Sequence, residues 1–156
     1  MIKIKKANLA TITAILTQYW GGNMLVNQGE IYHAEELQGY SAFYRHQLSG
    51  CITYVLKENV CHIMTLNSFV EGIGIGTKLA DRVLKTARDT KCHLAILTVS
   101  NDNLDALKFW QKRGFELKQI HQDAIELARS KKPNIPKYGH YGIPIKHEIE
   151  LIYHLH

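Results

Sequence analysis

Hydrophobic and polar residues alternate along several short stretches of this chain, and longer stretches carry apolar residues at helical spacing. Alternation, or a short continuous apolar run, predicts a strand, and apolar residues three or four positions apart predict a helix. The pattern predicts strands near 2–4, 40–46, 50–56, 60–66, 94–99, 115–120 and 149–155. It predicts helices over 9–19, 77–90, 104–113 and 123–131, and it leaves 24–26 and 31–33 ambiguous.

Four details extend this prediction. Asn8 is a suitable cap for the first helix, whose apolar face would carry Leu9, Ile12, Leu16 and Tyr19. Residues 47–50 would form the turn between the second and third strands, and 133–144 would form a loop. The run 94–99 is nearly all apolar and predicts a central strand that is covered on both sides.

The order of these elements predicts the fold class. Strands and helices alternate in the second half of the chain, whereas the first half contains consecutive strands joined by short turns. We therefore expect an α/β fold with a mixed, mostly antiparallel central sheet and helices on both faces. Residues 1–156 would form a single domain of this kind.

Composition and charge narrow the classes of function. Of the 156 residues, 46% are hydrophobic and 21% are charged, which is typical of a globular protein. No apolar stretch reaches the length of a membrane span, about 18 residues, and no signal peptide is recognisable, so a cytoplasmic location is expected. The net charge of +5 suits an anionic ligand, but the basic residues are too scattered to indicate nucleic acid.

Three cysteines, Cys51, Cys61 and Cys92, are widely spaced. An odd number at this spacing argues against a disulfide framework and is typical of a reducing compartment. Cys61 and Cys92 are each followed by histidine, but neither pair has a second pair at ligand spacing, so no metal site is expected.

Alternate glycines mark the segment VEGIGIG, residues 70–76, between a predicted strand and a predicted helix. Glycine weakens both kinds of element, so its use here is to let the backbone turn tightly and approach a neighbour closely. At a helix N-terminus, with unpaired N–H groups and the positive end of the dipole, that neighbour is commonly an anion such as phosphate. A glycine-rich turn that binds nothing is the alternative.

Two nucleotide-binding patterns fit this segment poorly. The dinucleotide fingerprint would need its last glycine where Thr77 or Leu79 stands, and the acidic residue expected about 20 positions later is missing. A nucleoside triphosphate loop needs lysine before serine or threonine, and here Thr77 precedes Lys78.

A third pattern fits better. Residues 71–76 match the pattern Q/R-x-x-G-x-G/A at both glycines, and residues 103–115 (NLDALKFWQKRGF) resemble N-x-x-A-x-x-F/L-Y-x-K/R-x-G-F. On these two motifs, in this order and spacing, the segment 63–115 resembles the cofactor half of the GNAT acetyltransferase superfamily. Residues 20–21, 27–29 and 142–151 resemble, more weakly, a bacterial subgroup of this superfamily that has an insert before the last strand.

The resemblance implies a coenzyme A site. Backbone amides of 72–77 would hold the pyrophosphate, and the backbone of 64–66 would hold the pantetheine arm and the thioester carbonyl. One N–H aimed at that oxygen would act as an oxyanion hole, typically worth about 3 kcal/mol. The implied cofactor-binding residues are Met64, Thr65, Leu66, Glu71, Gly72, Ile73, Gly74, Ile75, Gly76, Thr77, Asn103 and Trp110. Asn103 would either bond the pantetheine or cap its own helix.

Two of these residues depart from the family pattern. Glu71 stands where glutamine or arginine is usual, and a carboxylate beside a pyrophosphate is repulsive, so we expect Glu71 to contribute its backbone only. Trp110 stands where many members have a tyrosine that protonates the leaving thiolate. An indole N–H is not a usable acid, but a thiol with a pKa of roughly 8–9 can leave as thiolate. Trp110 would pack against the pantetheine end or belong to the core.

The sequence does not identify the general base. The candidates are His62, Tyr44, His46, Tyr138, His140 and Tyr141. The segment 138–142 is the most suggestive, because aromatic residues flanked by glycine in a loop are typical of binding surfaces.

The leading hypothesis is an N-acetyltransferase that binds acetyl-CoA and an amine together, the amine attacking the thioester directly. The acceptor could be a small amine, an amino acid, an antibiotic, or the N-terminus or a lysine of a protein. One alternative is a noncatalytic acyl-CoA-binding or regulatory module, which the tryptophan at 110 favours. A nucleotide-binding α/β domain is a further alternative. A homodimer through the late strands is compatible with the sequence.

Overall fold

The structure is a computed structural model that describes residues 1–155. Its helices are α1 (Leu9–Tyr19), α2 (Ile75–Asp89), α3 (Leu104–Lys112) and α4 (Ala124–Lys131). Its strands are β1 (Ile2–Lys6), β2 (Met24–Asn27), β3 (Glu30–His33), β4 (Gln38–Tyr44), β5 (Gln47–Lys57), β6 (Val60–Ser68), β7 (Leu94–Ser100), β8 (Glu116–His121) and β9 (Glu148–His154). Short 3₁₀ helices lie at Ala34–Glu36 and His140–Gly142.

Seven strands form one sheet in the order β1-β4-β5-β6-β7-β9-β8. Each neighbouring pair is antiparallel except β6 and β7, which are parallel because α2 crosses over between them. This confirms the predicted mixed, mostly antiparallel sheet. The ambiguous stretches 24–26 and 31–33 prove to be β2 and β3, which form a separate two-stranded hairpin.

Helices cover both faces of the sheet, as predicted. On one face α2 buries Leu79, Ala80, Val83, Leu84 and Ala87, the residues that the sequence predicted, in a large core shared with α3. A smaller core lies on the opposite face between α1 and the β2–β3 hairpin. Within residues 1–155, no helix combines the length and the apolar character that crossing a membrane requires.

The predicted turn at 47–50 was wrong. The strands β4 and β5 are joined by Arg45 and His46, which both take left-handed φ angles, 52° and 64°. A two-residue turn of this kind matches the twist of the flanking strands. Gly50 lies inside β5, where a Cβ atom would come within 2.5 Å of the Ile75 side chain. The glycine is therefore explained by the close approach of α2.

Two predicted faces also need correction. Helix α1 buries Ile12, Ile15 and Leu16, whereas Leu9 and Tyr19 at its two ends are half exposed, at 50% and 47%. In β7, alternate residues are buried, but those on the other face, 94, 96 and 98, are only partly covered. The central strand is thus fully covered on one side only, and its other side borders the cavity described next.

Candidate active site

The parallel strands β6 and β7 separate halfway along their length. They pair only from Val60–Leu94 to His62–Ile96, although β6 continues to Ser68 and β7 to Ser100. Met64 forms a β-bulge here: Thr65 and Ile63 face consecutive residues of β5, so Met64 has no partner. A cavity of about 950 Å³ opens between the separated strands and is lined by 63–68 on one side and 97–100 on the other.

The glycine loop closes one end of this cavity. Gly72 and Gly74 take left-handed φ angles of 80° and 85°, and no atom lies within 4 Å of the position of a Cβ on either. Gly76 has a different role, because its Cβ would lie 3.3 Å from the Phe109 ring, where α2 packs against α3. The loop therefore combines a turn that glycine adopts without strain with open space around Gly72 and Gly74.

The first turn of α2 presents unpaired amides beside this space. Gly74 caps the helix, and the first helical bond runs from the Lys78 N–H to the Gly74 carbonyl at 3.0 Å. The amides of 75–77 therefore lack helical partners. No acidic residue lies in the first turn.

Arg113 adds a positive charge at the same place. Its guanidinium donates to Thr77 Oγ1 and lies 5.1 Å from the centre of the Phe109 ring. A cation at the positive end of a helix dipole is unfavourable unless an anion lies between them. The sequence does not indicate this role for Arg113, because the residue follows α3 and is 36 positions away from Thr77.

Most residues implied by the resemblance line the cavity. The wall contains Met64, Thr65, Leu66, Glu71, Gly72, Gly74, Ile75, Gly76, Thr77, Asn103 and Trp110. Ile73 does not line it and packs instead against the large core. The Glu71 side chain is exposed. Asn103 caps α3, since its Oδ1 accepts a bond from the Ala106 N–H at 3.2 Å.

Trp110 belongs to both the core and the cavity wall. It is 5% exposed and contacts Phe109 and Phe115 edge to face, with ring centres 4.9 and 5.0 Å away. In the described residues its indole N–H has no hydrogen-bond acceptor, yet that atom is not sealed from solvent. The indole can therefore donate to a group inside the cavity.

The six candidate bases lie in different places. Of these, only His140 lines the cavity. Tyr138 and Tyr141 are 66% and 69% exposed, and the Tyr141 hydroxyl donates to Asp105 at 2.8 Å. Tyr44 and His46 lie at the β4–β5 turn, and His62 lies where β6 and β7 are still paired. The late loop thus brings one of its three candidates to the cavity.

His140 is held by a buried carboxylate. Asp102 is 1% exposed, and its Oδ2 accepts bonds from the His140 backbone N–H and from Nδ1, each at 2.8 Å. Burial opposes ionisation of Asp102, but bonds from Ser100 and His140 outweigh it, so its pKa is lowered. Gly139 is required here, because a Cβ would lie 2.0 Å from Asp102 Oδ2.

Glu148, at the start of β9, is a buried carboxylate in the cavity wall that the sequence did not indicate. It is 6% exposed, and burial raises its pKa above the usual range despite bonds from Thr98 and the Gln28 backbone. Thr98 Oγ1 donates to Glu148 Oε2 at 3.0 Å and accepts from Asn27 Nδ2 at 3.0 Å. In the sequence, Glu148 looks like the solvent side of an alternating strand. The burial of Glu148 could not be predicted from the sequence, because the sequence does not show that one face of the neighbouring strand β7 is only half covered.

Lys132, just after α4, also lines the cavity and is 7% exposed. Its Nζ donates to the backbone carbonyls of Trp20 and Met24, the latter at 2.7 Å. Burial lowers the pKa of this ammonium.

The three cysteines are buried and free. Burial raises the thiol pKa of Cys51 to about 11 and that of Cys61 to about 12. None of the three lines the cavity, so no thiolate is available for a covalent acyl intermediate. Within residues 1–155, no three His, Cys, Asp or Glu side chains converge as metal ligands.

Known proteins resemble this chain both in sequence and in fold. The sequence profile of the Acetyltransferase (GNAT) family matches residues 10–115. The chain is 37% identical over 142 residues to the uncharacterized protein YxbD of Bacillus subtilis, covering 90% of this chain and 89% of that protein.

Two solved structures share the fold. One is an acetyltransferase of Bacillus subtilis in complex with CoA, with a TM-score of 0.74, 15% identity and 100% coverage of both chains. The other is a GNAT family acetyltransferase from Elizabethkingia anophelis with acetyl-CoA bound. It has a TM-score of 0.72 and 19% identity, and the match covers 99% of this chain and 98% of that one.

Proposed function

Because the chain belongs to the GNAT family of acetyltransferases, we propose that its cavity binds acetyl-CoA and an amine together and transfers the acetyl group between them. The observation that carries this proposal is the separation of β6 from β7, which runs without interruption into the glycine loop. An open strand edge and an anion-binding helix end are the two surfaces that a long, phosphorylated thioester requires.

The pyrophosphate would lie against the free amides of 75–77, with Arg113 as a charged partner. The pantetheine arm would follow the edge of β6 that β7 leaves unpaired, along 64–66. The thioester would then lie near the Met64 bulge and the Trp110 indole. Glu71, which is exposed, would contribute its backbone.

Glu148 is the group that we assign to proton transfer. Its buried carboxylate lines the cavity, and its raised pKa makes it a better base near neutral pH than an exposed glutamate. The acceptor enters as an ammonium and gives one proton to Glu148. The free amine attacks the thioester carbon, the C–S bond breaks, and the products are an amide and the coenzyme thiolate. The second proton passes from the amide nitrogen through water to the thiolate, and Glu148 releases its own proton to solvent.

Trp110 would act on the leaving group differently from a tyrosine. Its N–H can donate a hydrogen bond to sulfur but cannot deliver the proton. Stabilising the thiolate by a hydrogen bond is sufficient for a leaving group whose pKa is roughly 8–9.

The cytoplasmic location, the single domain and the homodimer stay predictions from the sequence.

The test is release of free thiol from acetyl-CoA in the presence of a broad amine panel, with coenzyme binding measured separately by calorimetry. We expect amine-dependent release of thiol. Tight acetyl-CoA binding without turnover on any amine would favour the noncatalytic module instead. Stabilisation by NAD or ATP, and not by acetyl-CoA, would favour a nucleotide-binding domain.

A further inference from the structure

Two buried charges of opposite sign line the same cavity. The Glu148 carboxylate belongs to β9 and the Lys132 ammonium to the end of α4, and both are more than nine-tenths buried. They do not form a salt bridge with one another. Each is therefore a separate charged point on the wall.

Neither charge has a counterion among residues 1–155. Lys132 bonds only backbone carbonyls, those of Trp20 and Met24. No carboxylate of residues 1–155 lies within 4.0 Å of its Nζ. A lysine ammonium has three hydrogens, and two carbonyls leave one of them without an acceptor.

The carboxylate of Glu148 likewise has no cation bonded to it among residues 1–155. It accepts from the Thr98 hydroxyl at 3.0 Å and from the Gln28 backbone, both neutral donors, and the nearby imidazole of His121 is already bound to Glu150 at 2.7 Å. A neutral hydroxyl stabilises a carboxylate less than a cation does.

Buried charges are costly unless they are paired. A bound molecule that carries both an ammonium and a carboxylate would satisfy both groups at once. A molecule with only an ammonium would leave Lys132 uncompensated beside it. A neutral or purely anionic molecule would leave Glu148 uncompensated.

We propose that the acceptor is a small zwitterionic amine, an amino acid or a close analogue, whose ammonium binds Glu148 and whose carboxylate binds Lys132. This inference rests on the proposed acetyl transfer. Lys132 is a specificity-determining residue, since it binds the acceptor at the end remote from the reacting nitrogen.

The experiment compares matched acceptors. Thiol release from acetyl-CoA is measured with the common α-amino acids and with the ω-amino acid series from glycine to 6-aminohexanoate, each beside its own carboxamide. We expect the best carboxylate to exceed its carboxamide at least tenfold in kcat/KM. Equal use of the two forms, or a peptide N-terminus as the best acceptor, would overturn the inference and leave acetyl transfer intact.

Two variants then assign the preference to Lys132. Lys132→Met should abolish the preference by lowering kcat/KM for the carboxylate and not for the carboxamide. Lys131→Met is the matched control, because Lys131 is exposed and bonds the Gly29 carbonyl. It should retain the full preference. A preference that survives Lys132→Met would show that another group binds the carboxylate.

Loss of folding is separated from loss of recognition in two ways. Lys132→Gln keeps donors for the Trp20 and Met24 carbonyls but removes the charge, so it should reproduce the specificity change if Lys132→Met is unstable. Acetyl-CoA affinity by calorimetry should be unchanged in both. Failure of the wild-type protein to bind acetyl-CoA or to acetylate any amine would instead refute the proposed function.

Discussion

Replacing Glu148 with glutamine tests the assigned proton acceptor with little change in shape. The carboxamide oxygen can still accept the bond that the Thr98 hydroxyl now donates at 3.0 Å. The side chain at position 148 is only 6% exposed, and glutamine carries no charge there. The variant therefore has no buried charge at this position that would destabilise the fold. What disappears is the ability to take a proton from the acceptor.

The expected size of the effect follows from that single loss. A positioned general base contributes about 10²- to 10⁴-fold in rate, or about 3–5 kcal/mol of transition-state stabilisation. We expect kcat to fall within this range while acetyl-CoA affinity changes by less than about threefold, because the carboxyl takes no part in coenzyme binding in our account.

The pH dependence gives a second, independent signature. Burial raises the pKa of Glu148, so the base becomes protonated, and activity falls, at a higher pH than for an ordinary glutamate. The wild-type profile of kcat/KM should therefore rise with pH through this raised pKa. Glu148→Gln should remove that rise and leave only the titration of the free acceptor amine.

The assay is thiol release at saturating acetyl-CoA, with affinity measured by calorimetry. Glu150→Gln is the matched control, since Glu150 is equally buried on the same strand but is bonded to His121 and does not line the cavity. It should keep most of the wild-type kcat. A Glu148→Gln enzyme with more than about a tenth of wild-type kcat and an unchanged pH profile would refute the assignment.

Three further predictions concern the coenzyme end of the cavity. Gly74→Ala should lower the melting temperature, because a left-handed φ of 85° costs a residue with a Cβ about 1 kcal/mol, and calorimetry should show weaker coenzyme A binding. Arg113→Ala should raise the KM for acetyl-CoA several-fold with little change in kcat, and the effect should shrink as salt is increased. Glu71→Gln should change coenzyme affinity by less than about threefold, since the carboxylate is exposed, and a many-fold change would contradict this.

Features that depend on local sequence could be predicted. The Asn8 and Asn103 caps and the buried face of α2 follow from residues a few positions apart, and the structure agrees. The glycine loop was found for the same reason. Gly72 and Gly74 adopt the angles that favour glycine within one short segment.

The acceptor side depends on distant contacts. Glu148 is buried where Thr98 of the neighbouring strand β7 and the Gln28 backbone bond to it, and nothing near position 148 indicates this. The carbonyls to which the buried Lys132 ammonium donates belong to residues more than 100 positions away in the sequence. Single-sequence periodicity reports which residues share a face but not what covers that face.

The central claim is that coenzyme A lies on the glycine loop and along the unpaired edge of β6. Titration of ¹⁵N-labelled protein with coenzyme A, followed by amide chemical shifts, tests it most directly. We predict that the largest changes fall on Gly72, Gly74 and the amides of 75–77, and that a second group falls on 64–66. Saturating coenzyme with no change at these amides, or with its largest changes elsewhere, would contradict the account.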